Sequence, residues 1–336
     1  MLKNTHVLHN HNATCYRKGS TPLETIVIGA GLSKAFGLPL AADLLPQMLG
    51  WHINRGNGHK VEPIIEFLKF FYPAFVDIAG WCPSAEDVMG MFDSAEEYSN
   101  LRAGAPGFRW REGKMAQLRM RFNSLMGQYL WAFQACMNDD TLAPLRKFVR
   151  NRGTRTAYVT FNYDLLLETA LSQEAIPYSY RLDPSGQIVT LLKPHGSINW
   201  FLRSPGKMFA GKGWSTFGPN ISVFDGLDPG LLPFGQRSWR QAALIAPTPH
   251  KQIAFAEMKR VWTSFSSAVH SSPTLLSIGY SMPEADRLAR LVLNRASPKH
   301  GRRRITVVNP ADVRAQYCQC ISPDCIFVRK TFEQFV

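Results

Sequence analysis

Five short apolar runs in this chain end on residue types able to do chemistry. In ETIVIGAGLSKAFGLPLA the run Thr25–Ile28 breaks into Gly29, Ala30, Gly31 and Ser33, a bend whose backbone N–H groups and hydroxyl could cradle a phosphate. A tight strand-to-helix connection, with Gly37 easing the next turn, explains the same glycines. The bend has neither the Gly-Lys-Ser/Thr of a Walker loop nor a clean G-x-G-x-x-G, so both readings stand at this point. VTFNYDLLLETAL places Asn162 and Asp164 just behind a second run, where open α/β sheets bind ligands. LLKPHGSINW puts His195 behind a third, ahead of Gly196 and Ser197, and reads as an exposed histidine at a strand end. Histidine titrates near neutrality and is the usual general base. LLSIGYSMPEAD ends a fourth run on Gly279 and Ser281, and ITVVNP a fifth on Asn309.

These residues need a scaffold that gathers strand ends. The runs Thr25–Ile28, Thr156–Thr160, Ile188–Leu192, Thr274–Ile278 and Ile305–Val308 are almost continuously apolar, as strands covered on both faces are. Helical stretches separate them, so the expected fold class is α/β, a Rossmann-like doubly wound parallel sheet. No convincing strand lies in about 50–150; there Met115, Leu118, Phe122, Leu125, Met126, Tyr129, Leu130 and Phe133 recur at spacings of three and four. That stripe predicts an amphipathic helix and marks the region as a helical insertion. Residues 1–20 are expected to form a mobile arm ahead of a domain over 21–336. The Gly-, Pro- and aromatic-rich stretch Arg203–Arg240 is expected to be irregular, a lid or binding loop.

The formal charge is +13, from 38 Lys and Arg against 25 acidic residues, which favours polyanions without choosing among nucleotides, nucleic acid and acidic proteins. The densest clusters are Arg150, Arg152 and Arg155, then Arg302, Arg303 and Arg304, with a looser set at Arg109, Arg111, Lys114, Arg119 and Arg121. Solvated faces explain such clusters more readily than a dedicated nucleic-acid groove. No apolar run approaches the roughly 18 to 20 residues of a membrane span, and the N-terminus lacks the apolar centre of a secretory signal, so no membrane role and a cytoplasmic location are expected. Cys15, Cys82, Cys136, Cys318, Cys320 and Cys325 are irregularly spaced and read as reduced thiols; the last three supply at most three close ligands for a zinc ion.

Taken in order, GAGLS, TFNYD, PHGS, GYSMPEAD and VVNP resemble the motifs of the sirtuin superfamily. The NYD and HGSINW wording is closest to its bacterial sirtuin-like branch associated with anti-phage defence, of the HerA-associated type. The motifs span about Ile26 to Pro310. The resemblance implies that Gly29, Ala30, Gly31 and Ser33 hold the pyrophosphate of NAD, which is the substrate. It also implies that Asn162 and Asp164 sit against the nicotinamide ribose and carboxamide, that His195 is the catalytic histidine, and that Gly279, Ser281 and Asn309 line the adenosine side. Two departures from the deacetylating sirtuins matter. The segment after the glycine turn is Gly37, Leu38, Pro39, Leu40, Ala41 in place of Gly-Ile-Pro-Asp-Phe-Arg, and no cysteine occurs between Cys136 and Cys318. No zinc ribbon and no metal are therefore expected, and protein deacylation is in doubt.

Without an acyl-lysine the nucleophile is water, and the implied activity is an NAD glycohydrolase yielding nicotinamide and ADP-ribose. Such an enzyme needs restraint, so the resemblance implies a homo-oligomer or a companion such as a HerA-type hexameric ATPase or an Argonaute-like protein. Two other classes remain: a nucleic-acid-binding or nuclease component with DNA contact through the basic clusters, and an NAD-dependent deacylase. Against the first, the sequence shows no metal-carboxylate cluster, helix-turn-helix or zinc finger. Ser197 lies in no G-x-S-x-G elbow, which disfavours a serine hydrolase.

Overall fold

Each apolar run is a strand, and all join one sheet. The computed structural model describes residues 22–101, 112–183, 185–202, 213–224, 242–245, 255–294 and 304–336. The expected N-terminal arm, with Cys15, and the arginines at 109, 111, 302 and 303 lie outside them. β1 (Glu24–Ile28), β2 (Thr156–Thr160), β3 (Tyr178–Ser179), β4 (Val189–Leu192), β9 (Thr274–Ile278), β10 (Arg304–Val308) and β11 (Ile326–Val328) form a parallel seven-stranded sheet in the order β11-β10-β9-β1-β2-β4-β3. In register, Val27 faces Val159 on one side and Ser277 on the other. Ile26, Val27 and Ile28 are fully buried, so the β-branched run is held from both faces, as its composition requires. From β1 the chain first builds towards β3 and then returns to build towards β11. This is a Rossmann-type α/β sheet with a reversal of direction beside β1.

Between β1 and β2 come α1 (Ala30–Ala35), α2 (Ala41–Asn54), α3 (Gly58–Phe71), α4 (Ala85–Leu101), α5 (Glu112–Ala135) and α6 (Asp139–Arg150). Met115, Leu118, Phe122, Leu125, Met126, Tyr129 and Leu130 of α5 are all buried, and Phe133 is half-buried. α5 is clamped by polar bonds as well. The His52 ring meets the Leu125 carbonyl at 3.0 Å, and Asn123 donates to the Ala242 carbonyl at 3.3 Å. At the start of α4 the Asp87 N–H donates to Ser84 Oγ and the Ser84 N–H to Asp87 Oδ2, a reciprocal cap that fixes the intervening Glu86.

The remaining helices are α7 (Leu166–Gln173), α8 (Ala256–Ser271), α9 (Arg287–Asn294), α10 (Arg314–Cys320) and α11 (Phe332–Phe335). A second, antiparallel sheet departs from the sequence expectation. It holds β5 (Gly196–Leu202), β6 (Trp214–Thr216), β7 (Ile221–Phe224) and β8 (Ala242–Leu244) in the order β6-β7-β5-β8. β6 and β7 fall inside the stretch expected to be irregular, and GSINW is itself a strand. Strands of three or four residues carry too little periodicity to read locally; these form because β5 offers Trp200 and Phe201 to pair across. No helix among the described residues is long and apolar enough to cross a membrane.

Basic residues of two clusters are paired with the chain's own carboxylates: Arg150 and Arg152 of the first and Arg119 of the looser set. Arg146 and Arg150 both bind Glu174, at 2.7 and 2.5 Å, Arg152 binds Glu24 at 2.9 Å, and Arg119 pairs with Asp93. The hydrogen bonds from Arg150 and then Arg146 draw the Glu174 carboxyl down to about 2.

A tight steric constraint lies where the turn after β1 meets the turn after β9. The Gly31 N–H donates to the Gly279 carbonyl at 3.0 Å, and a Cβ on Gly279 would stand 2.5 Å from the Leu32 nitrogen. Gly279 also has φ +60°, in the left-handed region that side chains resist. Gly153, at φ +75° with nothing within 4 Å of a Cβ, supplies the control. Gly153→Ala should cost about 1–2 kcal/mol from conformation alone. Gly279→Ala should cost at least about twice that, or yield no folded protein. Equal melting temperatures for the two variants would show that the contact is not tight.

Candidate active site

A cavity of about 730 Å³ opens at the carboxyl ends of β1, β2, β9 and β10, beside the reversal of strand order. Its wall carries Gly29, Ala30, Gly31 and Ser33 from the first turn, Asn162 and Asp164 from behind β2, and His195 from behind β4. Gly279 and Ser281 from behind β9 and Asn309 from behind β10 complete it. Every candidate residue read from the sequence is thus brought to one cavity. Parallel strands end together, and the crevice outside their carboxyl ends is where loops from separate segments converge.

The polar groups here are joined in a chain of fixed polarity. Asn162 donates through Nδ2 to the Gly29 carbonyl at 3.0 Å and to Ser33 Oγ at 2.6 Å. A carbonyl can only accept, so this contact fixes the orientation of the amide and leaves Oδ1 as its acceptor. Ser33 in turn donates to Asp164 Oδ2 at 2.6 Å, while Asp164 Oδ1 takes the Leu166 N–H at 3.1 Å. The Asp164 carbonyl accepts from Lys193 Nζ, and Lys193 binds Glu168 Oε1 at 2.9 Å. Lys193 is 0% and Glu168 1% exposed. Glu168 Oε1 also accepts from Tyr180, whose hydroxyl accepts from Asn199 of β5, both at 3.1 Å. Burial pushes the Glu168 carboxyl above its ordinary value against the pull of Lys193.

His195 is 3% exposed, which corrects the expectation of an exposed ring. The second sheet and α8 cover it. Its carbonyl accepts from the Ile245 N–H at 2.8 Å, and Ile198 N–H donates to the Tyr163 carbonyl at 3.0 Å, tying β5 to the Asn162 loop. Phe161 lies 4.8 Å and Trp262 6.4 Å from the ring, centroid to centroid. Its Nε2 stands 3.0 Å from Asp286 Oδ2, which also accepts the Tyr280 hydroxyl at 3.0 Å. Burial first, and then the Asp286 carboxylate, hold the Tyr280 phenol well above the ordinary tyrosine range.

Asp286, Glu86, Lys34 and Glu333 line the cavity without having been singled out as site residues in the sequence. Asp286 was in view as the last letter of GYSMPEAD; Glu86 and Glu333 come from α4 and α11, which carry no motif. The glycines also have a different reason than close approach to a ligand. A Cβ on Gly29 would meet Tyr280 Cα at 2.5 Å and one on Gly31 would meet Gly279 Cα at 2.7 Å, so they admit neighbouring backbone. Asn309 accepts the Ala311 N–H at 3.0 Å and so shapes its own turn, and Ser281 sits exposed at the rim. Among the described residues, no group of three or more His, Cys, Asp or Glu is placed to hold a metal ion, and the cysteines are free thiols.

Residues 156–319 match the family model of the SIR2-like domain. The SIR2-like stretch holds Asn162, Asp164, His195, Gly279, Ser281 and Asn309. No curated protein matches the sequence. Among solved structures, Sir2Tm bound to a propionylated peptide is similar at 12% identity, over 94% of this chain and 90% of that one, with a TM-score of 0.38. A Sir2–p53 peptide–NAD+ structure is similar at 10% identity over 94% and 90%, with a TM-score of 0.39. A Sir2 homologue variant in complex with 2′-O-acetyl ADP-ribose is similar at 12% identity over 93% and 87%, with a TM-score of 0.44.

The buried Lys193–Glu168 pair generates a stability prediction. Lys193→Met strands a buried carboxylate and should cost about 3–5 kcal/mol in urea unfolding. Adding Glu168→Gln, which can still accept from Tyr180, should recover most of that loss. A single variant costing less than about 1 kcal/mol would mean that water reaches Glu168 freely.

Proposed function

We propose that this cavity binds NAD and hydrolyses its bond from nicotinamide to ribose, releasing nicotinamide and ADP-ribose. The observation that carries this reading is the convergence of Asn162 and His195 on the glycine turn behind β1, in one cavity of ligand size. The lining fits the substrate. Among the described residues it combines carboxylates at Glu86, Asp164, Asp286 and Glu333 with a single lysine, Lys34. The carboxylates favour a ligand with a cationic ring, and Lys34 offers the cavity's lysine to its diphosphate.

The reaction asks little of the protein beyond orientation. The glycosidic bond breaks with its electron pair leaving on neutral nicotinamide, water adds to the ribosyl carbon, and one proton must be taken up. Asn162, with both amide hydrogens engaged, offers Oδ1 to a water or a ribose hydroxyl. His195 takes the proton. Asp164 is bound through both carboxylate oxygens and acts mainly by fixing Ser33, with a lone pair left for the carboxamide. The scaffold limits water and holds these groups without reorganisation, which is where such a site gains rate.

Restraint by assembly or by a partner such as a HerA-type ATPase, in a role of NAD depletion during phage infection, belongs to the same proposal. It rests on the resemblance of the motifs alone. The deacylase reading is kept as an outcome of the test.

Purified protein incubated with NAD and no peptide should release nicotinamide and ADP-ribose in equal amounts by chromatography. His195→Ala and Asn162→Ala should each lower turnover at least about 100-fold with melting temperature preserved. Release only on adding an acetylated peptide would replace hydrolysis with deacylation. Full activity in either variant would remove the assignment.

A further inference from the structure

The resemblance assigns His195 but says nothing of what holds it, and the structure supplies a specific holder. We propose that Asp286 is a positioning residue for His195, fixing the tautomer and the orientation in which the ring accepts a proton. The proposal rests on the NAD-cleaving reading and adds a residue to it.

Three observations carry it. The first is the contact itself: Asp286 Oδ2 stands 3.0 Å from His195 Nε2, with the two residues 1% and 3% exposed. The approach is an ion-pair distance, not an aligned hydrogen bond; because a carboxylate offers only lone pairs, a neutral ring with Nε2 held against it carries its hydrogen on Nε2 and keeps Nδ1 as the base. The second is the rigidity of Asp286. Its N–H donates to the Pro283 carbonyl at 3.1 Å, and its own carbonyl accepts from Arg290 N–H at 3.1 Å at the start of α9. Met282, just upstream, is buried and held at φ +54°, a left-handed conformation that a side chain of its size adopts only under constraint. The third is the packing of the ring. Phe161 lies 4.8 Å from His195 and stacks at 4.4 Å on Tyr280, the residue whose hydroxyl holds the same Oδ2.

Together these fix the carboxylate, the imidazole edge and the aromatic floor as one unit. When His195 takes the proton released by the attacking water, the proton goes to Nδ1 and the positive charge spreads over a ring already facing a buried carboxylate. No separate charge has to be brought in, and no solvent has to reorganise. The other titrating or charged groups close to the pair are Tyr163, Tyr280, Glu86 and Arg119. The two phenols are held neutral by burial, and the carboxylate found 3.0 Å from the ring is that of Asp286.

The discriminating variant is Asp286→Asn, whose side-chain oxygen can still accept from Tyr280 and His195, so that shape is kept and charge is lost. In the full-length protein, turnover number should fall at least about 100-fold while KM for NAD stays within about threefold. The acid limb of the pH profile should move to lower pH, because the variant no longer stabilises the protonated ring. Nitrogen NMR of the histidine rings, with His195 assigned by its loss in His195→Gln, should show the Nε2–H tautomer in the parent and a mixture in Asp286→Asn. A variant that keeps turnover within about threefold overturns the proposal, as does one that loses NAD binding in proportion to turnover. An Nδ1–H tautomer in the parent overturns it as well. A parent that releases no nicotinamide overturns the NAD reading separately, since the tautomer is read without turnover.

Discussion

The site depends on one buried chain of hydrogen bonds that runs from the second sheet to the turn behind β1. It passes from Asn199 to Tyr180, to Glu168, across the ion pair to Lys193, to the Asp164 carbonyl, and through the Asp164 carboxylate to Ser33, Asn162 and Gly29. Groups of this kind lose much when unpaired in a medium of low dielectric, so the chain favours one geometry over near alternatives. Its ion pair is weak evidence for stability, since desolvating two charges offsets most of their attraction. What it supplies is registry. Lys193 sits just before His195 and reaches the loop of Asn162, so the two residues proposed to act on one substrate are held by the same ammonium group.

The sheets divide the work. The parallel sheet gathers the turns, and the contact of Gly31 with Gly279 sets how near the first and ninth strands' turns can come. The antiparallel sheet buries what the first would leave open. Gly196, at φ +82°, has a Cβ position 1.7 Å from the Ala243 carbonyl, so β8 can close over the residue next to His195 only because that neighbour is glycine. The helices between β1 and β2 complete the enclosure with Leu38, Leu44, Glu86 and Leu130.

Much of this was legible in the sequence, for a physical reason. Strands of a parallel sheet are buried on both faces and read as apolar runs, and their carboxyl ends are where ligands bind, so Asn162, His195, Gly279 and Asn309 could be found by position alone. The stripe from Met115 to Leu130 was legible because helical burial repeats every three to four residues. His195 read as exposed because its cover comes from β8 and α8, remote in sequence and without a local signature. β6 and β7 were missed because three or four residues carry too little period. Asp286 stood inside a quoted motif, but only the tertiary approach of the residue ahead of α9 to the turn behind β4 gives it a histidine to face. The glycines were noticed for their lack of a Cβ, and the atoms that this makes room for include those of the Gly279 turn.

The charge of the whole chain and the charge of the site point in opposite directions. A formal +13 suggests a polyanion partner, yet Arg146, Arg150, Arg152 and Arg119 are paired with Glu174, Glu24 and Asp93. The cavity meanwhile holds four carboxylates against one lysine and one histidine. Long-range attraction brings anions towards the surface over roughly 10 Å of screened solvent, but inside an enclosed cavity the nearest groups decide what stays. A small ligand that is anionic at its diphosphate and cationic at its ring satisfies both conditions, whereas a nucleic-acid strand satisfies only the first. On the proposed reading, the net charge bears on how the substrate arrives, and the cavity's carboxylates on how its cationic ring is held.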